Sequence, residues 1–547
     1  MIKGDKMLTR RDFIKYTGIT ATTLLGMGFL GCVKKEETKP TETPTATETA
    51  KTPAKLYKDE FILGYGKDHK LKGGKWGIGF FPKVNTLENL VEYDLKNDEY
   101  IPYLAKKWDI ESNGKVITFE LNKGIKFSDG TELMADAVKF TVLWLANNHP
   151  LGSETFENAE IVDDYTVSIK YKEEGFFNLA KMAEFHMSIM SPKSVKPEGD
   201  PKGEFVFPIG TGPLKVVDYK KDQYAVYEPN PYWYERFGLK PKFKRFTVKI
   251  IKDEDTRVMA LRGGEVNAIS DYSHGGSDYT PRNQLGVLQK EGYKVYKRII
   301  PLTWIIAFNY QKEPFNDVNL RKAVDLAVNR DEVVKIFDNQ VLPAKTLFVE
   351  DAPGIKEAKA QGVVYEYKPD EAKQIVEENG YKGLNVNMIV DKAQGDQILV
   401  SQLIQQQLKE IGINVNLQIL ETGAYKQRRD SGDYDLRLYY IGGTDRRFYM
   451  RMFWRFHPAR KWKAYVSDRT GNLCQKILKE FDKEKRKQYL IEFYKAIHEE
   501  HGVVPLYFDI MTVVTAPNVD ASYDVIFKWP NGIGVGEPLF YGVGVKV

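Results

Sequence analysis

Cationic side chains interleaved with aromatic ones fill a short stretch in the last quarter of the chain. The cations are Arg446, Arg447, Arg451, Arg455, Arg460, Lys461 and Lys463. A guanidinium group presents two parallel N–H donors, so such a stretch can hold a carboxylate or an anionic metal chelate. The alternative is a helix whose charged face is simply solvated. The sequence leaves both interpretations open.

The sequence contains no strong pattern of catalytic residues. His498-Glu499-Glu500-His501 is one residue shorter than the His-Glu-x-x-His spacing that brings two imidazoles onto one zinc ion. His501 also falls on the apolar stripe of its predicted helix, so we expect a helix-end histidine beside the core. No Gly-x-Ser-x-Gly elbow occurs, whereas a convergent pair of carboxylates is compatible with the sequence. We therefore predict a protein that is not an enzyme and uses no cofactor, with a secreted hydrolase as the rival from another class.

Size and charge narrow the classes further. The 547 residues carry a net charge of +5, which is small for this length and argues against nucleic acid as a partner. Single cores stop growing near ~250–300 residues, so two or more globular units are expected. After the leader, no run of ~18 apolar residues predicts a membrane span. Cys474 is the one cysteine outside the leader, which excludes a disulfide within the mature body and a cysteine-rich zinc site.

The first 55 residues have the composition of an export leader and a tether. Thr9-Arg10-Arg11-Asp12-Phe13 resembles a twin-arginine export signal, and Phe29-Leu30-Gly31-Cys32 resembles a lipobox. Residues 1–32 are thus predicted to direct export, with Cys32 as the lipid-bearing first residue of the mature protein. An uncleaved N-terminal anchor helix is the alternative. Residues 33–55, rich in Thr, Pro, Glu and Lys, are predicted to be a disordered tether.

Strand and helix patterns alternate along the rest of the chain and indicate an α/β architecture. Val116–Leu121 and Thr166–Tyr171 both alternate apolar and polar residues, which predicts a strand pair. Trp76–Phe81 is predicted to be an apolar strand. Gln397–Ile411 has the pattern of a helix that ends before Gly412, and Ile413–Ile419 has that of a strand.

One segment, residues 118–145, combines a strand, a turn and a helix in a family-specific order. Its residues match "L-x-x-G-(V/I)-x-F-x-D-G", a signature of the family 5 extracellular solute-binding proteins, at Leu121, Gly124, Ile125, Phe127, Asp129 and Gly130. Asn230-Pro231-Tyr232-Trp233 and Gly264-Glu265-Val266-Asn267 are similar to two further family stretches. Asn267 stands where the family has Asp, and Met134 stands where a helix-capping Thr or Ser is common.

This resemblance implies a two-lobed periplasmic-binding-protein fold of type II with an extra subdomain inserted in lobe one. Lobe one would comprise residues 56–297 and 513–547, lobe two residues 298–512, with crossings near Arg298 and Met511. The implied function is that of a monomeric receptor outside the cytoplasmic membrane, lipid-anchored in the periplasm or at the cell surface. It would deliver a small solute to an ABC-type permease. A short peptide is the first expectation, a nickel or other metal chelate the second, and an oligosaccharide the third.

The resemblance also suggests individual ligand contacts. Asp445 occupies the neighbourhood in which peptide receptors of the family pair an Asp with the ligand's α-amino group. His457 lies where nickel receptors carry a histidine that reaches the bound metal complex, and imidazole is a good nickel ligand. The remaining predicted contacts are cations and rings near the expected cleft: Arg446, Arg447, Tyr272, His274, Trp76, Trp304 and Trp454.

Overall fold

The computed structural model describes residues 56–68, 71, 80–270, 282–442, 445–460, 463–530 and 538–547, without the side chains of Phe80 and Arg446. The chain divides into two compact units, residues 1–54 and 55–547, and every described residue belongs to the second. The predictions for residues 1–32 and 33–55, and those for Cys32, Trp76, Tyr272 and His274, therefore lie outside the described residues.

Strands and helices alternate through the described residues, in keeping with the predicted α/β class. The strands are β1 Glu60–Tyr65, β2 Val91–Asp94, β3 Glu99–Pro102, β4 Ala105–Glu111, β5 Val116–Leu121, β6 Phe156–Asp163, β7 Thr166–Tyr171, β8 Val195–Lys196, β9 Glu204–Phe205, β10 Leu214–Lys220, β11 Tyr224–Pro229, β12 Arg245–Ile250, β13 Ala268–Ser270, β14 Lys294–Phe308, β15 Leu342–Pro343, β16 Asn385–Asp391, β17 Asn414–Leu420, β18 Leu436–Gly442, β19 Val503–Thr515, β20 Val519–Asp520 and β21 Gly544–Val545. The helices are α1 Phe80–Thr86, α2 Ala135–Asn148, α3 Pro150–Thr155, α4 Phe177–Met182, α5 Pro231–Arg236, α6 Glu254–Arg262, α7 Leu285–Lys290, α8 Val318–Ala327, α9 Arg330–Ile336, α10 Ile355–Ala360, α11 Pro369–Glu378, α12 Gly395–Glu410, α13 Thr422–Ser431, α14 Phe448–Phe456, α15 Asp468–Lys479, α16 Lys483–Glu499 and α17 Tyr523–Phe527.

One mixed sheet runs through the whole folded body. Its strand order is β10-β11-β12-β1-β13-β19-β14-β18-β16-β17, with β15 paired to β19. Parallel pairs occupy both halves: β1 with β12 and β13, and β16 with β17 and β18. The long antiparallel strands β14 and β19 join these halves.

The two residues near which lobe crossings are predicted lie on these two long strands. Arg298 on β14 and Met511 on β19 are direct register partners. The pairing then shifts between Ile299 and Thr303, at Pro301, which lacks the N–H that a continuous ladder needs. A register shift at this point allows the paired strands β14 and β19 to bend between the two halves of the sheet.

The predicted strand pair belongs to a separate small sheet. The order β4-β5-β7-β6 is antiparallel throughout, and Val116 on β5 pairs with Lys170 on β7. Helix α2 packs against β6 and β7 with Ala137, Phe140 and Trp144 buried. Met134 is the N-cap of α2 and makes no side-chain cap bond, as its apolar side chain requires.

The strand predicted from Trp76 to Phe81 is wrong at its C-terminal end. Phe80 and Phe81 begin helix α1 instead. Pro82 suits the first turn of a helix, and Phe81 and Val84 are buried at helical spacing. The apolar residues alone did not distinguish the two-residue period of a strand from the 3.6-residue period of a helix.

Two large buried clusters form most of the core. The first joins the small antiparallel sheet and α2 to α14, α15 and α16, although these groups lie more than 250 residues apart in the chain. The second covers one face of the mixed sheet and includes α8, α9 and α12. In the described part of the chain, no helix is long and apolar enough to cross a membrane.

Candidate functional site

Helix α14, which carries most of the arginine-rich stretch, is buried on nearly all sides. It packs against β18 and α15 from the half of the chain assigned to lobe two, and against α4 from the half assigned to lobe one. Seven of its nine residues are shielded from solvent, including Arg451 and Arg455. The alternative of a solvated helix face therefore does not hold for Arg451 and Arg455, and α14 lies between elements from the halves of the chain assigned to the two lobes.

Arg447, Arg451 and Arg455, called the arginine ladder below, follow one another at four-residue spacing along one side of this helix. Arg447 forms a buried ion pair with Glu184, with 2.8 Å between Nε and Oε1. Its guanidinium also lies 4.7 Å from the ring centre of Phe185 and 5.1 Å from that of Trp454. Glu184 and Phe185 lie in the half of the chain assigned to lobe one, so Arg447 links that half to α14.

The other two arginines of the ladder lie against rings. Arg451 is 4% exposed and lies 5.6 Å from the ring centre of Tyr440 and 5.1 Å from that of Trp454. Arg455 lies 4.4 Å from the ring of Tyr439 and donates from Nε to the Tyr440 carbonyl at 3.2 Å. That carbonyl lies beyond the part of β18 that pairs with β16, so Arg455 covers an open strand edge.

The charges in this cluster act on one another. Burial, with Arg447 and Arg455 nearby, lowers the pKa of Arg451 to about 9. Burial by itself raises the pKa of Tyr440, but Arg451, Arg455, Arg447 and Lys67 outweigh it and lower the pKa below its usual value. The cluster therefore has an excess of positive charge.

Lys83, on α1 of lobe one, completes the cationic side of the cluster. Its Nζ lies 2.7 Å from Nδ1 of His186 and 5.5 Å from the ring centre of Phe185. Burial lowers the pKa of this ammonium to about 7; Glu184 opposes the shift and Arg447 adds to it. Sequence reasoning missed Lys83 and Glu184 because each is an ordinary surface residue type, brought to Arg447 only by tertiary packing.

The Lys83 shift predicts a pH dependence of stability. Between pH 10.5 and 7 the unfolded chain protonates this lysine while the folded chain leaves it neutral, so the free energy of unfolding falls by about 1.4 kcal/mol per pH unit as pH drops through that window. Below pH 7 the contribution is constant. Lys83→Met should remove this slope, measured as urea unfolding midpoints from pH 7 to 10. The exposed Lys356→Met is the control, and an unchanged slope in Lys83→Met would refute the assignment.

Asp445, the leading predicted contact, lies at the start of the segment that leads into α14. It is 8% exposed and its Oδ2 accepts a hydrogen bond from Nη2 of Arg298, on the crossing strand β14. This hydrogen bond orients the carboxylate of Asp445. Sequence reasoning placed a lobe crossing at Arg298 but did not foresee this ion pair.

A pocket of about 860 Å³ opens beside this ion pair, within the size range of small-molecule sites. Both lobes and both crossing strands line it. Its charged lining is balanced, with four carboxylates and four cations: Asp94, Glu350, Asp351, Asp445, Lys96, Lys297, Arg298 and Lys528. Apolar side chains such as Ile299 and Phe508 form the remainder. A zwitterionic solute fits such a lining better than a simple cation or anion.

A buried polar network joins the lobes near this pocket. Asp98 of lobe one accepts hydrogen bonds from Tyr93 at 2.6 Å, from Tyr449 at 2.8 Å and from Nη2 of Arg486 at 2.9 Å. Arg486 also donates from Nε to the Tyr449 hydroxyl at 2.8 Å. Its guanidinium lies 3.7 Å from the ring centre of Phe176. All five side chains are shielded from solvent, so the network is buried.

The remaining predicted contacts are not gathered in one place. Trp454 is half-buried within the arginine cluster. Trp304 is 1% exposed and packs on Tyr507 and Tyr440 in the core, which does not support ligand contact. His457 is half-buried at the far end of α14, roughly 18 Å along the helix from Asp445, so one small solute does not reach both. The side chain of Arg446 lies outside the described residues.

His457 retains the features of a neutral imidazole. Burial, with Arg460 nearby, lowers its pKa, and its Nδ1 accepts from the Ala459 N–H at 3.3 Å. Among the described residues, no group of three or more His, Cys, Asp or Glu side chains is arranged to hold a metal ion. His498 and His501 have separate partners, the Val364 carbonyl and the Asp325 carboxylate, as expected for structural histidines.

Two halves of a mixed sheet joined by two long crossing strands, with a pocket between them, define a two-lobed binding protein of the periplasmic type. Two solved structures share this fold. NikA from Brucella suis in complex with Fe(III)-EDTA has a TM-score of 0.75 at 23% identity, covering 89% of this chain and 100% of that one. DppA from Helicobacter pylori in complex with the peptide STSA has a TM-score of 0.69 at 23% identity, covering 90% and 99%.

Sequence comparison then supplies the family. Residues 99–461 match the family described as bacterial extracellular solute-binding proteins, family 5 Middle, and the chain belongs to that family. A relative, the dipeptide-binding protein of Escherichia coli (strain K12), is 26% identical over 388 residues, spanning 64% of this chain and 69% of that protein. The predicted fold and solute-binding function are thereby confirmed, and the protein is extracytoplasmic.

Proposed function

We propose that this protein is the receptor of an ABC-type importer and captures a short peptide between its two lobes for delivery to the permease. The solute touches both lobes, so it stabilises the closed form relative to the open one, and the permease recognises the closed form. No bond of the solute changes in this cycle. A hydrolase with the same fold would release products, whereas the receptor releases its solute intact.

The observation that carries the peptide proposal is the position of Asp445. Its carboxylate lies at the interlobe pocket, oriented by Arg298 from the crossing strand. An ammonium group that leaves water needs a fixed carboxylate partner, and a peptide's α-amino group supplies that ammonium. The balanced charges of the pocket suit the opposite termini of a peptide. Peptide binding by the Helicobacter pylori neighbour is consistent with this proposal.

The proposal extends to location and domain boundaries. We propose export by the leader in residues 1–32, lipid attachment at Cys32 and a flexible tether over residues 33–55, which would hold a monomeric receptor at the outer face of the cytoplasmic membrane. A single lipid chain binds reversibly, so stable anchoring needs further acylation. The lobes would comprise residues 56–297 with 513–547, and residues 298–512.

A metal chelate is the second candidate solute. The neutral imidazole of His457 and the nearby arginine ladder favour it, because a chelate of carboxylates is an anion that also has room for an imidazole ligand. The Brucella suis neighbour was solved with such a chelate. An oligosaccharide, the third expectation, has weaker support, because Trp304 is in the core.

Native mass spectrometry of residues 55–547, a compact unit of its own, tests the peptide proposal. The protein is purified without denaturation and compared with a denatured sample. We expect additional masses in the range of short peptides that disappear on denaturation. An adduct with a nickel or iron isotope pattern would contradict the proposal and favour the chelate.

A further inference from the structure

We infer that the arginine ladder docks a carboxylate group of the captured solute, and that this solute therefore carries more carboxylates than ammonium groups. The inference rests on the proposed receptor function and names the charge of its solute. It assigns a role to Arg451 and its two neighbours that the peptide proposal, centred on Asp445, does not use.

The charge of Arg451 is buried without a partner among the described residues. In the described part of the chain it has no carboxylate partner and no hydrogen-bond partner, and its Nε is shielded from solvent. Its contacts are the rings of Tyr440 and Trp454, and cation–π contacts of this kind are worth about 0.5–2 kcal/mol. Burying an unpaired charge costs several kcal/mol, which exceeds that gain. An anion at this position would restore the balance.

The planar guanidinium group of Arg451 has a geometry that suits a carboxylate. The guanidinium group of Arg451 lies near the rings of Tyr440 and Trp454, and its N–H donors lie in its own plane. A carboxylate binds a guanidinium in that plane through two parallel hydrogen bonds. Tyr439, Tyr440 and Trp454 are each half-buried, so the cluster is not sealed into the core.

Cations from both lobes lie around Arg451 and Tyr440. Arg447, Arg451 and Arg455 come from the half of the chain assigned to lobe two and Lys67 from the half assigned to lobe one, where Glu184 is the carboxylate that pairs with Arg447. An anion bound there would interact with both lobes at once. That is the property a solute needs in order to favour closure. A structural anion held by one lobe would not have this arrangement.

Isothermal titration of residues 55–547 with triglutamate, trialanine, trilysine and citrate tests the inference. We expect triglutamate to bind the wild type more tightly than trialanine, and trilysine to bind most weakly. Arg451→Met, which is similar in length and uncharged, should weaken triglutamate binding roughly 10- to 100-fold. Its thermal midpoint without solute should equal or exceed that of the wild type, because an unpaired buried charge has been removed.

The matched control is Arg469→Gln, which removes one positive charge from an exposed pair with Glu499 and should leave all four titrations unchanged. Equal binding of triglutamate by wild type and Arg451→Met, or stronger binding of trialanine or trilysine, would overturn the inference while the peptide proposal stands. Citrate binding that depends on Arg451, with no tripeptide bound, would support the carboxylate site and refute the peptide proposal. No binding of any probe would overturn both.

Discussion

Asp98→Ala is expected to lower the free energy of unfolding by about 3–5 kcal/mol, because it leaves the buried guanidinium of Arg486 without its carboxylate partner. The side chains of Asp98 and Arg486 are 6% and 3% exposed, so water cannot replace the lost partner. Urea unfolding of residues 55–547, followed by fluorescence, measures the loss. Asp98 and Arg486 fall in different lobes on the proposed domain boundaries, so the same variant should also weaken closure.

The neighbouring pair Glu99–Lys483 provides a matched control for this prediction. It joins the same two segments at 3.1 Å, but its side chains are 60% and 41% exposed. Glu99→Ala should therefore cost about 1 kcal/mol or less. The double variant Asp98→Ala with Arg486→Met should recover part of the loss, since no charge then remains unpaired. A cost for Asp98→Ala no larger than that for Glu99→Ala would contradict the role of the network.

Local periodicity predicted the regular elements well where burial is one-sided. The helix expected at residues 397–411 is observed as Gly395–Glu410, and the strand expected at 413–419 is observed as Asn414–Leu420. The helix carries an apolar face toward the core and a polar face toward solvent, whereas on the strand Val415 is buried and Ile419 is exposed. The long strand β14, Lys294–Phe308, was not predicted, and it contains Pro301, a residue type that usually marks a strand boundary. In the structure the proline sits at the register shift and the strand continues through it.

The candidate site was less predictable, because its partners are distant in sequence. The pattern of Arg447, Arg451 and Arg455 fits a solvated helix as well as a buried one, and the choice depends on α4 packing against α14 from the other lobe. Trp304 was predicted to contact ligand in the cleft but is buried in the core. Its neighbours Tyr440 and Tyr507 lie on the adjoining strands β18 and β19, and together they bury a ring that sequence reasoning had assigned to the cleft.

In the proposed binding mode, Asp445 would bind the ammonium group of a peptide and the arginine ladder would bind a carboxylate. Along the chain, Asp445 precedes the ladder by two to ten residues, and α14 connects them rigidly. The pocket beside Asp445 has balanced charges, whereas the ladder has an excess of positive charge. A peptide with a free α-amino group and additional carboxylates would satisfy both. Each contact can therefore be tested by changing one charge of the protein and the matching charge of the peptide.

Asp445→Asn is expected to weaken the binding of trialanine by about 1.5–3 kcal/mol, or roughly 10- to 150-fold. Asparagine keeps the size of the side chain and an oxygen that can accept from Arg298, but it lacks the charge that pairs with the α-amino group. Alanine would be a poorer choice, because Arg298 is largely buried and would lose its partner. Isothermal titration measures the affinity, and a thermal midpoint close to that of the wild type confirms that the fold is retained.

Two controls separate recognition of the amino group from a general change in the pocket. N-acetyl-trialanine has no ammonium group, so it should bind wild type and Asp445→Asn equally weakly if Asp445 pairs with the amine. Asp351→Asn removes a carboxylate from the same pocket, but that side chain is 62% exposed and screened by water, so trialanine affinity should change little. If Asp445→Asn weakened trialanine and its acetylated form to the same extent, Asp445 would shape the pocket through Arg298 without binding the peptide's amino group.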